Sequence, residues 1–215
     1  MLHQTQSSIL LDQFEQQFDS LLDFILDAEA GDGTDEQCSC GQGERTYRCS
    51  DCFQYPTKCS TCFVSDHIQM PFHWAEKWNG NYFERMDISK VGHVVSLGHG
   101  GARCPSVRLD TNSVNFFVVD TTGIHKTRFS FCSCVDHGTC VQQLMRARLF
   151  PASTDQPTCA FSFGVLRDFH LQTLESKKSA YDYLGALRRL TNNAKPDDVP
   201  VSELWLHHSL SDLIY

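Results

Sequence analysis

No stretch of this 215-residue sequence approaches the roughly 18 consecutive apolar residues that mark a membrane-spanning helix. Residues 1–8 are polar and lack a basic n-region, so no secretory signal is read there and an intracellular protein is expected. Basic residues are scarce: 18 Lys and Arg stand against 26 Asp and Glu, a formal net charge of -8. That balance argues against non-specific nucleic-acid binding over the whole surface, because phosphate contacts need positive patches. Also missing are H-E-x-x-H, G-x-S-x-G and a phosphate-cradling glycine loop. Gly98-His99-Gly100-Gly101 has the composition of an oxyanion loop, yet no nucleophile elbow accompanies it. The expectation is no enzyme, no small-molecule substrate and no membrane partner.

What the chain does have is cysteine, eleven in all. Disulfides need an oxidising compartment, and clustering favours metal instead. Cys38, Cys40, Cys49, Cys52, Cys59 and Cys62, followed by His67 and His73, make one C-x-C, two C-x-x-C pairs and a histidine pair. Eight such ligands fill two tetrahedral zinc sites and leave no position for a catalytic water, so these sites are read as structural. The alternative for His73, between Phe72 and Trp74, is an aromatic-packed surface histidine. A third zinc is expected from His99, Cys104, Cys132 and Cys134, with His137 or Cys140 as alternatives for the fourth ligand, and with His93 and His125 nearby. Cys159 stands alone and reads as a buried apolar residue.

The fold class predicted is α+β, in four stretches: a helix and acidic linker over 1–36, the double-zinc cluster over 37–80, a β-rich region over 81–140, and a helical region with a tail over 141–215. Apolar residues at three- and four-residue steps predict a helix over 8–28 that covers the core or a partner. Residues 31–36 read as a flexible linker. Alternation predicts strands over 94–97, 114–120 and 124–132, the last two joined as a hairpin. Helices are predicted over 141–150, 158–174 and 179–190, with a short helical ending over 204–213. Arg146, Arg148, Lys177, Lys178, Arg188 and Arg189 make a DNA-phosphate patch if they gather on one face, and ordinary solvated helix faces if they do not.

The order of four ligand pairs resembles the B-box and related cross-brace fingers. The resemblance implies that Cys38, Cys40, Cys59 and Cys62 share one zinc, and Cys49, Cys52, His67 and His73 the other. A longer resemblance runs over about residues 49–192. It rests on Cys49-x2-Cys52, Cys59-x2-Cys62, His67, Pro71-x-His73-x4-Trp78, Leu97-Gly98-His99-x4-Cys104, Asp120-x2-Gly123-Ile124-His125, Phe131-Cys132-x-Cys134 and Gln143-Leu144-x-Arg146-x-Arg148-Leu149-Phe150-Pro151-Ala152. Phe161-x4-Leu166-x2-Phe169, Glu175-Ser176-Lys177 and Ser179-Ala180-Tyr181-Asp182-Tyr183 continue it. In that order they resemble the type 2 CxC cysteine-cluster domain found N-terminal in the KDZ (Kyakuja-Dileera-Zisupton) transposases of fungi. The resemblance implies a nuclear, zinc-binding recognition module of a transposon protein, truncated before the catalytic region, that binds DNA or its own transposase. The alternative is a B-box-like protein-interaction module with no nucleic-acid role.

Overall fold

Alternation in the sequence becomes the larger of two sheets. The structure, a computed structural model, describes residues 6–31, 33–106 and 113–200. The helix α1 (Gln6–Glu29) is followed by a three-stranded antiparallel sheet in the order β1 (Tyr47–Cys49), β2 (Trp74–Trp78), β3 (Phe83–Asp87), with the short helix α2 (Ser60–Asp66) between the first two strands. The second sheet comprises β4 (Val95–Ser96), β5 (Ser113–Asp120), β6 (Gly123–Ser130), β7 (Leu149–Pro151) and β8 (Cys159–Ser162), in the order β4-β6-β5-β8-β7. Helices α3 (Cys140–Arg146), α4 (Phe163–Ser176) and α5 (Ala180–Thr191) complete it.

Period-two alternation places Phe116 and Val118 on one face of β5 and Val119 on the other. The first face packs with Leu97, Phe129, Leu144 and Leu149 beneath α3. The second packs with Ile124, Phe161, Val165, Phe169, Tyr183 and Leu187 beneath α4 and α5. The hairpin turn at Thr121 and Thr122 fixes the register, with Asp120 opposite Gly123.

The hairpin turn is also where the two sheets are fastened. Trp74 Nε1 donates to the Thr122 carbonyl at 2.8 Å, and the Thr122 hydroxyl donates to the Phe72 carbonyl at 2.8 Å. His125 lies 2.9 Å from that hydroxyl and packs its ring 4.3 Å from Trp74. Lys126 N–H donates to Asp87 at 2.9 Å, and Arg85 reaches the Leu190 carbonyl at 2.7 Å. A side chain at Gly123 would lie 2.8 Å from the Thr191 hydroxyl, which itself accepts from Ile124 N–H. The Asp-x-x-Gly-Ile-His string therefore serves docking, and among the described residues His125 joins no group of metal-ligating side chains.

The C-terminal region is not purely helical. The helix predicted over 141–150 stops at Arg146, because Arg148 is left-handed at φ 60, and Leu149–Pro151 continues as an edge strand that tolerates proline. The helix predicted over 158–174 begins only at Phe163. Its first residues form β8, paired on both sides and buried throughout, and a short continuous apolar run does not distinguish strand from helix by periodicity. Ser162 closes the strand and caps α4 by accepting from Val165 N–H at 3.1 Å. The linker is ordered where described: Gly31 packs so closely on Trp78 that an added Cβ would lie 2.8 Å from the ring, and Thr34 is buried. The predicted ending over 204–213 lies outside the described residues.

Candidate metal centres

Among the described residues, three groups of four side chains bring one ligand atom each to within 4.8 Å of one another. The first joins Cys38 and Cys40, on a tight knuckle, to Cys59 and Cys62, at the start of α2. Cys38 N–H bonds the Gly43 carbonyl, Gly41 N–H bonds the Cys38 carbonyl, and Gln42 N–H points at Cys40 Sγ from 3.4 Å. The sulfur separations are 3.4 Å for Cys40 and Cys59 and 3.9 Å for Cys38 and Cys62. Backbone N–H groups of Cys40 and Cys59 draw the Cys38 thiol down to about 6, while hydrogen bonds shared with Cys40 and Cys59 push Cys62 up to about 12. Thiols crowded in this way hold protons against each other, and a divalent cation relieves that conflict by deprotonating its ligands.

In the second group β1 ends at Cys49, Cys52 follows, His67 caps the C-terminus of α2, and His73 precedes β2. His73 Nδ1 lies 3.5 Å from Cys49 Sγ and 3.3 Å from Cys52 Sγ, and His67 Nε2 lies 3.6 Å from Cys52 Sγ. The Phe63 carbonyl can only accept, so the contact at 2.8 Å puts the proton on His67 Nδ1 and leaves Nε2 free to ligate. Phe63 stacks on the His67 ring at 4.2 Å, and Asp51 holds the approach of β2 by accepting from Trp74 N–H at 2.6 Å. Burial raises the Cys49 thiol to about 12 and lowers His67.

The third group pins a loop to the end of the hairpin. His99 Nε2 lies 3.2 Å from Cys132 Sγ and 3.6 Å from Cys134 Sγ, and Cys104 Sγ lies 3.5 and 3.7 Å from the same two sulfurs. Burial acts to raise the Cys104 thiol, but backbone N–H groups of Ser133 and Ser106, together with hydrogen bonds from Cys132 and His99, outweigh it and bring it to about 6. Gly98, at φ 88, must be glycine, because a Cβ would lie 2.9 Å from Cys132 Cβ. Gln143, buried on α3, accepts from Cys132 N–H at 2.8 Å and donates to the Cys132 and Gly138 carbonyls at 2.9 and 3.1 Å. Nothing in a single glutamine's sequence context announced that clamp. His137 rests its ring 4.4 Å from His99 without joining the group, and Cys140 is exposed outside it.

The donor sets are four sulfurs, two sulfurs with two nitrogens, and three sulfurs with one nitrogen, and each can hold a metal ion. The sulfur spacings of the first and third groups match the edge of a tetrahedron with bonds of ~2.3 Å. His93 and His125 sit outside all three groups, and burial pushes both down to about 4. Cys159 is buried in the sheet core, and burial raises its thiol to about 12. A cavity of about 860 Å³ lies between the second and third groups, with His73, His99, Phe72, Leu97, His137 and Arg146 among its walls.

The basic residues do not share one element or one duty. Arg146 donates to the His137 carbonyl at 2.8 Å. Arg188 donates to the Pro196 carbonyl at 2.9 Å and pairs with Asp197. Arg148 lies over the Phe163 ring at 5.9 Å. Lys177 and Lys178 precede α5 and Arg188 and Arg189 close it, which separates the two pairs by about 15 Å along the helix axis. No helix among the described residues is long and apolar enough to cross a membrane.

A family model described as CxC2 like cysteine cluster associated with KDZ transposases matches residues 88–195. That is half of the chain, and it takes in the third group, the larger sheet and both α4 and α5. It begins after His73, so the first two groups lie before the matched segment. No curated protein and no solved structure matches the chain.

Proposed function

The chain belongs to the family of CxC2-like cysteine clusters associated with KDZ transposases, and from that premise we propose that it is a zinc-built recognition module whose target is a protein of the transposition machinery. The observation that carries the reading is the set of three complete Cys/His quartets. Tetrahedral sulfur and imidazole sets suit Zn²⁺, and a site filled by four protein ligands has no place for a reacting water. The metals then hold shape, and no catalytic step is assigned to them. The first two quartets interleave their ligand pairs, first with third and second with fourth, which is the cross-brace order of B-box fingers.

A protein target is preferred to duplex DNA because the net charge is -8 and the candidate phosphate contacts are divided. Arg146 and Arg188 are engaged within the chain, and the pairs at the two ends of α5 are about 15 Å apart. We place the module in the nucleus, where a transposase meets the DNA it acts on, on the strength of its family's association with KDZ transposases. Elemental analysis of the purified chain should return three zinc ions per molecule, and fewer than one would refute the reading. Titration with duplex DNA at 50 and 200 mM salt should show only weak binding. Nanomolar binding with a steep salt slope would move the target from protein to DNA.

A further inference from the structure

Helix α1 has side chains that belong against something. Every residue from Ile9 to Glu29 is exposed, including Phe14, Phe18 and Phe24 at 64, 63 and 71%. At 3.6 residues per turn, Leu11, Phe14, Phe18, Leu21 and Ile25 form one seam, and Leu10, Leu22 and Phe24 widen it to an arc of about 160°. One flank of that arc carries Asp12, Glu15, Asp19 and Asp23, and the other carries Gln13, Gln17 and Ser20. No Lys or Arg lies on the helix.

The helix is ordered and held at one end. Arg48 on β1 pairs with Glu29 and donates to the Ala28 carbonyl at 3.1 Å, while Gly31 packs on Trp78. Anchorage of this kind reduces the ordering cost of binding a partner along the rest of the helix. The charge then selects the partner. Asp23, Asp27 and Glu29 stand toward the C-terminal end, where the helix dipole favours cations, and Arg48, which meets Glu29, is shared with Glu76. A second copy would bring another helix with six carboxylates and no base. The apolar residues near the end of this chain, Leu204, Trp205, Leu206 and Leu210, are accompanied by Glu203 and Asp212 and by no Lys or Arg.

We propose that α1 is a docking helix for a basic amphipathic helix of a partner protein, which lays its apolar stripe on Leu11, Phe14, Phe18, Leu21 and Ile25 and its Lys or Arg side chains along Glu15, Asp19 and Asp23. The proposal rests on the recognition-module reading and names the surface that reading would use.

The test uses the full zinc-loaded chain and two labelled synthetic helical peptides, one with a Leu seam flanked by Lys and one with Glu in place of each Lys, read by fluorescence anisotropy. The Lys peptide should bind at least about tenfold more tightly than the Glu peptide. The double variant Phe14→Asp, Phe18→Asp should lose at least about tenfold. It adds negative charge, so attraction by charge alone would instead tighten binding. Undiminished binding to that variant, or equal binding of the two peptides, would overturn the proposal. So would a parent chain that sediments as a dimer and a double variant that sediments as a monomer, because the stripe would then belong to a second copy. The altered side chains are exposed, so the variant should keep its zinc. Absent zinc refutes the module, whereas zinc-loaded chain that ignores the Lys peptide refutes the docking helix alone.

Discussion

Around the three-stranded sheet the buried apolar cluster is Cys49, Phe63, Ala75 and Ile88, and one of those four is a candidate ligand. Around the five-stranded sheet, among the described residues, ten buried residues cover one face and seven the other. The first region therefore has too little apolar burial to offset its chain entropy, and two of the three quartets lie there. The second has a core of its own, and its single quartet fastens a loop to the end of a hairpin. On the zinc reading proposed above, the same ligand chemistry stands in for a core in one region and works as a pin in the other.

Removing metal should expose that contrast with the largest effect. Structural zinc in small fingers is worth ~10–16 kcal/mol apparent. Treatment with a strong chelator should abolish hydrogen-exchange protection in β1, α2 and β2 and free the loop at residues 98–105, while β5, β6 and β8 stay protected. Equal loss of protection in both sheets would show that the larger sheet also depends on metal.

The converse perturbation is Phe161→Ala. Phe161 is buried in β8 against α4 and α5, and truncating such a residue costs ~3–5 kcal/mol. Denaturant unfolding of the larger sheet should shift by that amount, with the zinc of the first two groups retained on native chain. Coupled loss of that zinc would mean that the two regions unfold as one unit.

How much of this was legible in the sequence follows the same division. Ligand quartets are legible because Cys and His are chemically conspicuous and their spacing constrains them. All twelve side chains proposed as ligands lie in the three groups, including the unusually tight C-x-C of Cys38 and Cys40. The hairpin was legible through its alternation and turn. Strands β7 and β8 were not, because Leu149–Pro151 is short and Cys159, Ala160 and Phe161 of β8 are a continuous apolar run, so neither shows a period. The exposure of α1 was invisible too, since an amphipathic pattern declares an apolar face without saying what covers it. Gln143 and Thr122 escaped for a related reason: their roles are hydrogen bonds to residues that only the fold brings near.

The joint between the two regions should respond to acid. Burial lowers His125 from 6.5 to about 4, helped by Arg85 and His73 and opposed by Asp120. Its ring is held neutral between Thr122 and Trp74. The unfolded chain then binds the extra proton first, so this contribution is complete above pH 6.5 and is lost as pH falls toward 4. About 3 kcal/mol is at stake in all, of which about 2 kcal/mol should be gone by pH 5. On the zinc reading, metal release adds its own acid dependence, and the comparison with His125→Gln removes it. The stability difference between parent and variant should narrow by about 2 kcal/mol between pH 7 and pH 5. An unchanged difference would place a charged imidazole in the native joint.

The smallest expected effect concerns Cys140, and it decides how the third group is built. Four ligands fill a tetrahedral zinc site, so His99, Cys104, Cys132 and Cys134 leave no place for a fifth. Cys140 is exposed at the first residue of α3, whose start is fixed by its neighbour Thr139, which accepts from Gln142 N–H at 3.3 Å. Replacing the thiol there removes no buried contact, and serine is at home in the first turn of a helix. Cys140→Ser should therefore leave the zinc count unchanged and the stability within ~0.5 kcal/mol. His99→Ala, by contrast, should release the third ion, with the loop at residues 98–105 losing its exchange protection. If Cys140→Ser instead costs one zinc while His99→Ala costs none, the fourth ligand is the cysteine on α3. Metal would then tie that helix directly to the hairpin, and the Gln143 clamp would no longer be what positions it.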